Sequence, residues 1–98
     1  MGELRFEWDP RKAAANRRKH GVSFTEAESA FADEHALLLD DPAQSDTEDR
    51  FVLLGLSAAL RVLVVVHCYR AADTVIRLIS ARRADAEERR HYDERWLR

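Results

Sequence analysis

The run Thr74-Val75-Ile76-Arg77-Leu78-Ile79-Ser80-Ala81-Arg82 constrains this chain more than any other stretch. Its β-branched and apolar residues predict a strand buried on at least one face, with Arg77 inside it. A guanidinium there needs an anionic partner or a wet cleft, because an unpaired charge among apolar neighbours is costly. Two readings stand side by side: a structural salt bridge to a carboxylate elsewhere in the chain, or a cation that faces phosphate. Arg82 and Arg83 extend the pattern, setting three guanidinium groups at or just past the end of one strand. Their planar forks of N–H donors suit phosphate better than ammonium groups do.

A chain of 98 residues suits one domain, 1–98, with a single core and no separate ligand-binding lobe. Function is then expected on the surface or in a shallow cleft. No apolar stretch approaches the ~20 residues needed to span a bilayer, and the longest, Leu60 to Tyr69, is interrupted by Arg61 and His67. The start, Met1-Gly2-Glu3-Leu4-Arg5, has no apolar segment of the secretory kind, and the lone Cys68 has no partner for an internal disulfide. A cytoplasmic location without a membrane partner is expected. Cys68 lacks a Cys or His pair at ligand spacing, and no carboxylate cluster accompanies the arginines, so no metal or other cofactor is expected.

The net charge of −2 hides an uneven distribution. Residues 1–19 hold six basic and three acidic groups, residues 20–49 hold nine acids and no Lys or Arg, and residues 50–98 hold ten arginines and six acids. A positive surface must therefore be built from the two ends of the chain, with the acidic middle turned away from it. Low overall charge implies modest non-specific affinity for nucleic acid.

Local signals predict the order β-α-α-β-β-β-β-α, an α+β domain with a mainly antiparallel sheet packed against helices. Leu4 to Trp8 alternates like a short strand. Asp9-Pro10 caps a first helix running to about Lys19 or His20, with Gly21 as its left-handed stop. Ser23 and Glu26 form a capping-box pattern, with Val22 and Ala27 as its staple, for a second helix reaching about Ala32. Strands over Ala36–Asp40, Arg50–Leu56 and Arg61–Tyr69 then form a meander with the arginine strand, the first two joined by a polar connection from Asp41 to Thr47. Asp85 and Glu88 cap a last helix that carries Tyr92 and Trp96 one turn apart. Asn16 reads as a hydrogen-bonded surface amide. A loop of Ser57 to Leu60 sets Arg50 opposite His67, and a turn centred on Ala72 sets His67 opposite Arg77, giving a polar row of Arg50, His67 and Arg77 with Glu48 one step beyond.

One further pattern spans nearly the whole chain: Phe6-Glu7-Trp8-Asp9-Pro10, Lys12, Asn16, Lys19-His20-Gly21-Val22-Ser23-Phe24, Ala27, then Glu48-x-Arg50, Gly55, Ile76-Arg77-x-Ile79-Ser80-Ala81-Arg82, and Glu88-Arg89-x-x-Tyr92. It resembles the BrnT family, toxins of bacterial type II toxin–antitoxin systems. The resemblance implies a RelE-like fold, RNA cleavage that arrests growth, and neutralisation by a BrnA-like antitoxin. It also implies a complex of two copies of each protein that reaches operator DNA through the antitoxin. In one respect the chain departs from RelE-like toxins, which tend to be strongly basic: it is slightly acidic, with only Lys12 and Lys19 as lysines.

A metal-free ribonuclease has the 2′-hydroxyl of its substrate attack the adjacent phosphorus, and needs a base, cations for the phosphorane and an acid for the leaving 5′-oxygen. Arg50, Arg77 and Arg82 are the expected cations, and Glu48 or His67 the base. His20 or Lys19 is expected to donate a proton or hold a flanking phosphate, with Lys12, Arg18 and Arg83 as further RNA contacts. Each has a plainer reading: His67 as a satisfied core histidine, Glu48 as a neighbour of Arg50, Lys19 and His20 as cations favoured at any helix C-terminus. The alternative function is a catalytically weak module that binds the antitoxin and co-represses its operon.

Overall fold

In the computed structural model, which describes residues 4–41 and 49–96, caps define the helices. After β1 (Arg5–Glu7), Asp9 accepts the Arg11 N–H at 2.8 Å and Pro10 opens α1 (Pro10–His20). Gly21, at φ 70°, closes α1 by donating to the Arg17 carbonyl at 2.9 Å. Ser23 Oγ accepts the Glu26 N–H at 3.0 Å to start α2 (Phe24–Ser29), which continues as a 3₁₀ turn (Ala30–Ala32). The Glu26 carboxylate does not return to Ser23; it is held by Arg61 and Ser57, so only half of the expected box forms. Four strands follow: β2 (Leu37–Asp40), β3 (Phe51–Leu56), β4 (Val62–Arg70) and β5 (Val75–Arg83). In α3 (Ala86–Trp96) the box is complete: the Asp85 N–H donates to Glu88 at 2.9 Å and the Glu88 N–H to Asp85 at 2.8 Å. The order is the expected one. Apart from Asp41 itself, the polar connection from Asp41 to Thr47 lies outside the described residues, and so does Glu48.

The sheet runs β1-β5-β4-β3-β2, parallel only between β1 and β5. One face, here the helix face, packs Val22, Phe24, Ala27 and Ala30 against Leu53, Leu63, Val65, Ile76, Leu78 and Ala81. The opposite face is covered in part by α3, whose Tyr92 packs on Leu54 and Val64. Tyr92 also donates to Asp33 at 2.6 Å, while Asp33 accepts the N–H groups of Leu56 and His35. Gly55 lets the 3₁₀ turn seat on β3, since a Cβ there would stand 2.9 Å from the Ala30 carbonyl oxygen.

Both expected registers are corrected by one residue. Ser57 is the last paired residue of its hairpin, donating to the Arg61 carbonyl at 2.8 Å, and the loop is one residue shorter than Ser57 to Leu60. Phe51, not Arg50, therefore faces His67. The next loop spans Ala71 to Thr74, with positive φ at Ala71, Ala72 and Asp73, so Cys68, not His67, faces Arg77. The expected row of Arg50, His67 and Arg77 does not form. His67 projects into the core, fully buried against Phe31, Phe51 and Tyr69. Its Nδ1 lies 3.1 Å from the Val65 carbonyl, which only accepts, so Nδ1 carries the proton and Nε2 faces the Tyr69 hydroxyl at 3.4 Å. Burial lowers the His67 pKa and keeps the ring neutral.

Asn16 is buried, not on the surface as expected. Its Nδ2 donates to the carbonyls of Ala81 at 2.8 Å and Val22 at 3.0 Å, and its Oδ1 accepts the Ala81 N–H at 3.0 Å. β1 pairs β5 only over Val75 to Arg77, so further along this edge the Asn16 amide bonds Ala81 as a strand would.

Replacing Asn16 with Ala is expected to lower unfolding free energy by about 2–4 kcal/mol, since it strands buried backbone groups at Ala81; denaturant titration measures this. His67 supplies a second expectation. Its folded pKa lies below its unfolded value near ~6.5, so the unfolded chain takes up the proton first and stability falls as pH drops below that value. His67→Phe should flatten that part of the stability–pH curve, measured by denaturant midpoints at successive pH values.

Candidate functional site

On the open face the two register corrections cancel. Each shifts β4 by one residue, so Arg50 and Arg77 still flank a common β4 position, now held by Cys68. Arg77 pairs with Cys68 directly. Arg50 immediately precedes β3, and its carbonyl accepts the Asp41 N–H at 3.1 Å, carrying the β2–β3 ladder one residue outward. Continuing the β3–β4 register sets Arg50 opposite Cys68, and strand alternation gives both arginines the same face. With strands about 4.8 Å apart, their Cα atoms stand on the order of 10 Å from each other across β4.

Arg82 joins that face through a β-bulge. Five residues separate Arg77 from Arg82, and in a regular strand an odd spacing would point them to opposite sides. Between Val66 and His67 the register shifts: Val66 pairs Ser80 while His67 pairs Leu78, which makes Ile79 the extra residue. Arg82 consequently pairs Val64, on the same side of β4 as Cys68 and roughly 13 Å along the strand from it. The three guanidinium groups thus do not gather at one strand end. β5 runs on to Arg83, Arg77 lies near its start, and Arg83 pairs Leu63 on the helix face, where its charge helps to lower the pKa of Glu26 after the larger effect of Arg61.

Each of two arginines holds a carboxylate of its own chain. The parallel register of β1 sets Glu7 beside Arg77, whose Nη1 donates to Glu7 Oε2 at 2.9 Å; Arg70 Nε approaches the same oxygen at 3.8 Å. Arg82 grips Glu88 with two hydrogen bonds of 2.8 Å, which lower the Glu88 pKa and raise that of Arg82. These pairs stay open to water: side-chain exposure is 31% for Arg77, 42% for Glu7, 43% for Arg82 and 28% for Glu88. An anion from solution can reach all four.

The cations of α1 lie elsewhere. α1 packs through Ala13 and Asn16 on the helix face, opposite the arginine row, with Lys12, Arg18 and Lys19 exposed and His20 half-buried. Arg61 ties the C-terminus of α1 to the start of β4 by donating to the Gly21 carbonyl at 3.1 Å, so Lys19 and His20 stand toward the Arg82–Arg83 end of the sheet. Among the described residues no three His, Cys, Asp or Glu side chains converge, and no metal-ligand set is assigned there. Sequence reasoning missed Glu7. Its alternation with Phe6 was visible, but the parallel pairing that brings β1 beside Arg77 was not.

No helix among the described residues is long and apolar enough to cross a membrane. No curated protein sequence matches the chain. Among solved structures, the fold is similar to the crystal structure of the Brucella abortus ribonuclease toxin BrnT, with a TM-score of 0.61 and 23% sequence identity over 84% of this chain and 97% of that one. The family described as the ribonuclease toxin BrnT of type II toxin–antitoxin systems matches residues 8–88, from the end of β1 through the capping box of α3. That span takes in Arg50, Arg77, Arg82 and Glu88, and the chain belongs to the BrnT family of ribonuclease toxins.

Proposed function

We propose that this chain cuts RNA by attack of the substrate's own 2′-hydroxyl, with Arg50 and Arg77 holding the scissile phosphate above Cys68 and Arg82 holding a neighbouring one. The single observation that carries the reading is that Arg50, from the start of β3, shares one sheet face with Arg77 and Arg82 of β5, the latter two partly open to solvent. Guanidinium forks fixed in place stabilise the charge that builds on the non-bridging oxygens as phosphorus gains a fifth ligand, and the route needs no metal. Glu48, two residues before Arg50 in sequence, is a carboxylate available as the base; His67, closed inside the core, is not used. Lys19 and His20 hold a flanking phosphate toward the Arg82 end, and Lys12, Arg18 and Arg83 extend the RNA contact around the sheet edge.

A type II toxin implies a cognate antitoxin and an RNA substrate. The antitoxin is BrnA-like, the complex contains two copies of each chain, and operator DNA is reached through the antitoxin in the cytoplasm. One observation favours a second reading: Arg77 and Arg82 already hold Glu7 and Glu88, as suits a weakly catalytic module that co-represses its operon.

Expressing the parent chain and Arg77→Ala, each alone and with the neighbouring reading frame, separates the two. The parent is expected to arrest growth and degrade RNA, with rescue by the neighbouring product. Arg77→Ala should lose about 100-fold or more in cleavage rate while still binding the antitoxin. Healthy cells expressing the parent alone would establish the module reading.

A further inference from the structure

We infer that Glu7, in place of Glu48, is the catalytic base of this site, the group that takes the proton from the attacking 2′-hydroxyl; the inference rests on the RNA-cleaving reading above. Glu48 lies outside the described residues; among the described ones His67, Glu88 and Glu7 have the chemistry for that task, and their environments differ. His67 is closed inside the core. Glu88 spends both oxygens on Arg82, and its Oε1 also accepts the Asp85 N–H. Glu7 is different: both of its ion pairs, with Arg77 and Arg70, fall on Oε2, and Oε1 takes no hydrogen bond from any described residue. The side chain is 42% exposed and directed to the open face by its register opposite Arg77.

Arg77 supplies the link to substrate. One of its five N–H donors is committed to Glu7, and the others remain for phosphate. A phosphate gripped by the same guanidinium stands next to the Glu7 carboxylate, and the nucleophilic hydroxyl is the one adjoining that phosphorus. Two guanidinium groups orient Oε2, which leaves Oε1 presented to the reacting atoms.

The step balances without an added reactant. As the O2′–P bond forms, the hydroxyl proton passes to Glu7 Oε1 while Arg77 and Arg50 steady the non-bridging oxygens. The P–O5′ bond breaks with its electron pair on O5′, which takes a proton from water; the hydroxide left behind removes the proton from Glu7. The products are a 2′,3′-cyclic phosphate and a 5′-hydroxyl, and nothing is oxidised or reduced.

The test is single-turnover cleavage of a labelled RNA oligonucleotide by the purified full-length chain, followed from acidic to neutral pH. Glu7→Gln is expected to slow cleavage by about 100-fold or more and to abolish the acidic limb of the rate profile. Its RNA affinity should be unchanged or tighter, because a negative charge has left the face. Glu7→Asp should restore part of the rate and the limb, which a merely structural counter-ion would not do. Circular dichroism and antitoxin binding establish that each variant folds. An active parent with a Glu7→Gln variant that keeps both rate and limb, or that cuts faster, overturns the inference and leaves the RNA-cleaving reading intact. Loss of the limb in Glu48→Gln, with Glu7→Gln unaffected, assigns the base to Glu48 and likewise overturns it. A folded parent that cuts no RNA overturns both.

Discussion

One extra residue in β5 decides which chemistry each face of the sheet carries. Without the bulge at Ile79, the alternation of β5 would turn Arg82 toward Val22, Phe24 and Leu63, and a guanidinium would have to be buried among apolar side chains at a cost of several kcal/mol. With it, Leu78 and Ala81 both face the core while Arg77 and Arg82 both face outward. The bulge also lies just before Ala81, whose outer N–H and C=O have no strand partner because β1 ends at Glu7. Asn16 satisfies them from α1. Placement of α1, completion of the sheet edge and orientation of the arginine row are therefore one linked arrangement.

A similar linkage fixes α3. Only Tyr92 of that helix is buried among its described side chains, and an 11-residue helix has little stability of its own. Two polar anchors supplement the contact. The Tyr92 hydroxyl binds Asp33, which also holds Leu56 and His35, and burial of Asp33 is outweighed by these hydrogen bonds, so its pKa is lowered. Glu88, in the first turn, binds Arg82. Arg82 is thus at once a candidate phosphate contact and a strut of the helix beside it.

Much of the fold was legible because its signals are local. Asp9-Pro10, Gly21, Ser23 and the Asp85–Glu88 box place helix ends within a residue, and the β-branched runs place the strands. What local signals do not fix is register. The two hairpin loops each differ from expectation by one residue, and with a side-chain period of two that suffices to send His67 into the core and bring Cys68 out between the arginines. The pairing of Arg50 with Arg77 survived because the two slips fell on the same strand. Asn16 and Glu7 were out of reach for another reason: their partners, Ala81 and Arg77, lie far along the chain, and only the crossover from β1 to β5 brings them together.

The modest charge of the chain acquires a meaning from these contacts. Glu7 and Glu88 offset the field of Arg77 and Arg82, so attraction for a polyanion at a distance is weak, in keeping with a net charge of −2. At contact the balance changes. Partly exposed ion pairs contribute on the order of 1 kcal/mol or less, so a phosphate that reaches the face displaces a carboxylate, or shares its guanidinium, at little cost. Meanwhile the carboxylates have held the guanidinium forks in fixed orientations, and side-chain entropy that a free arginine would lose on binding has been lost in folding already. On the proposed reading, a face of this kind selects by geometry more than by charge, favouring a polyanion whose phosphates match the spacing of Arg50, Arg77 and Arg82.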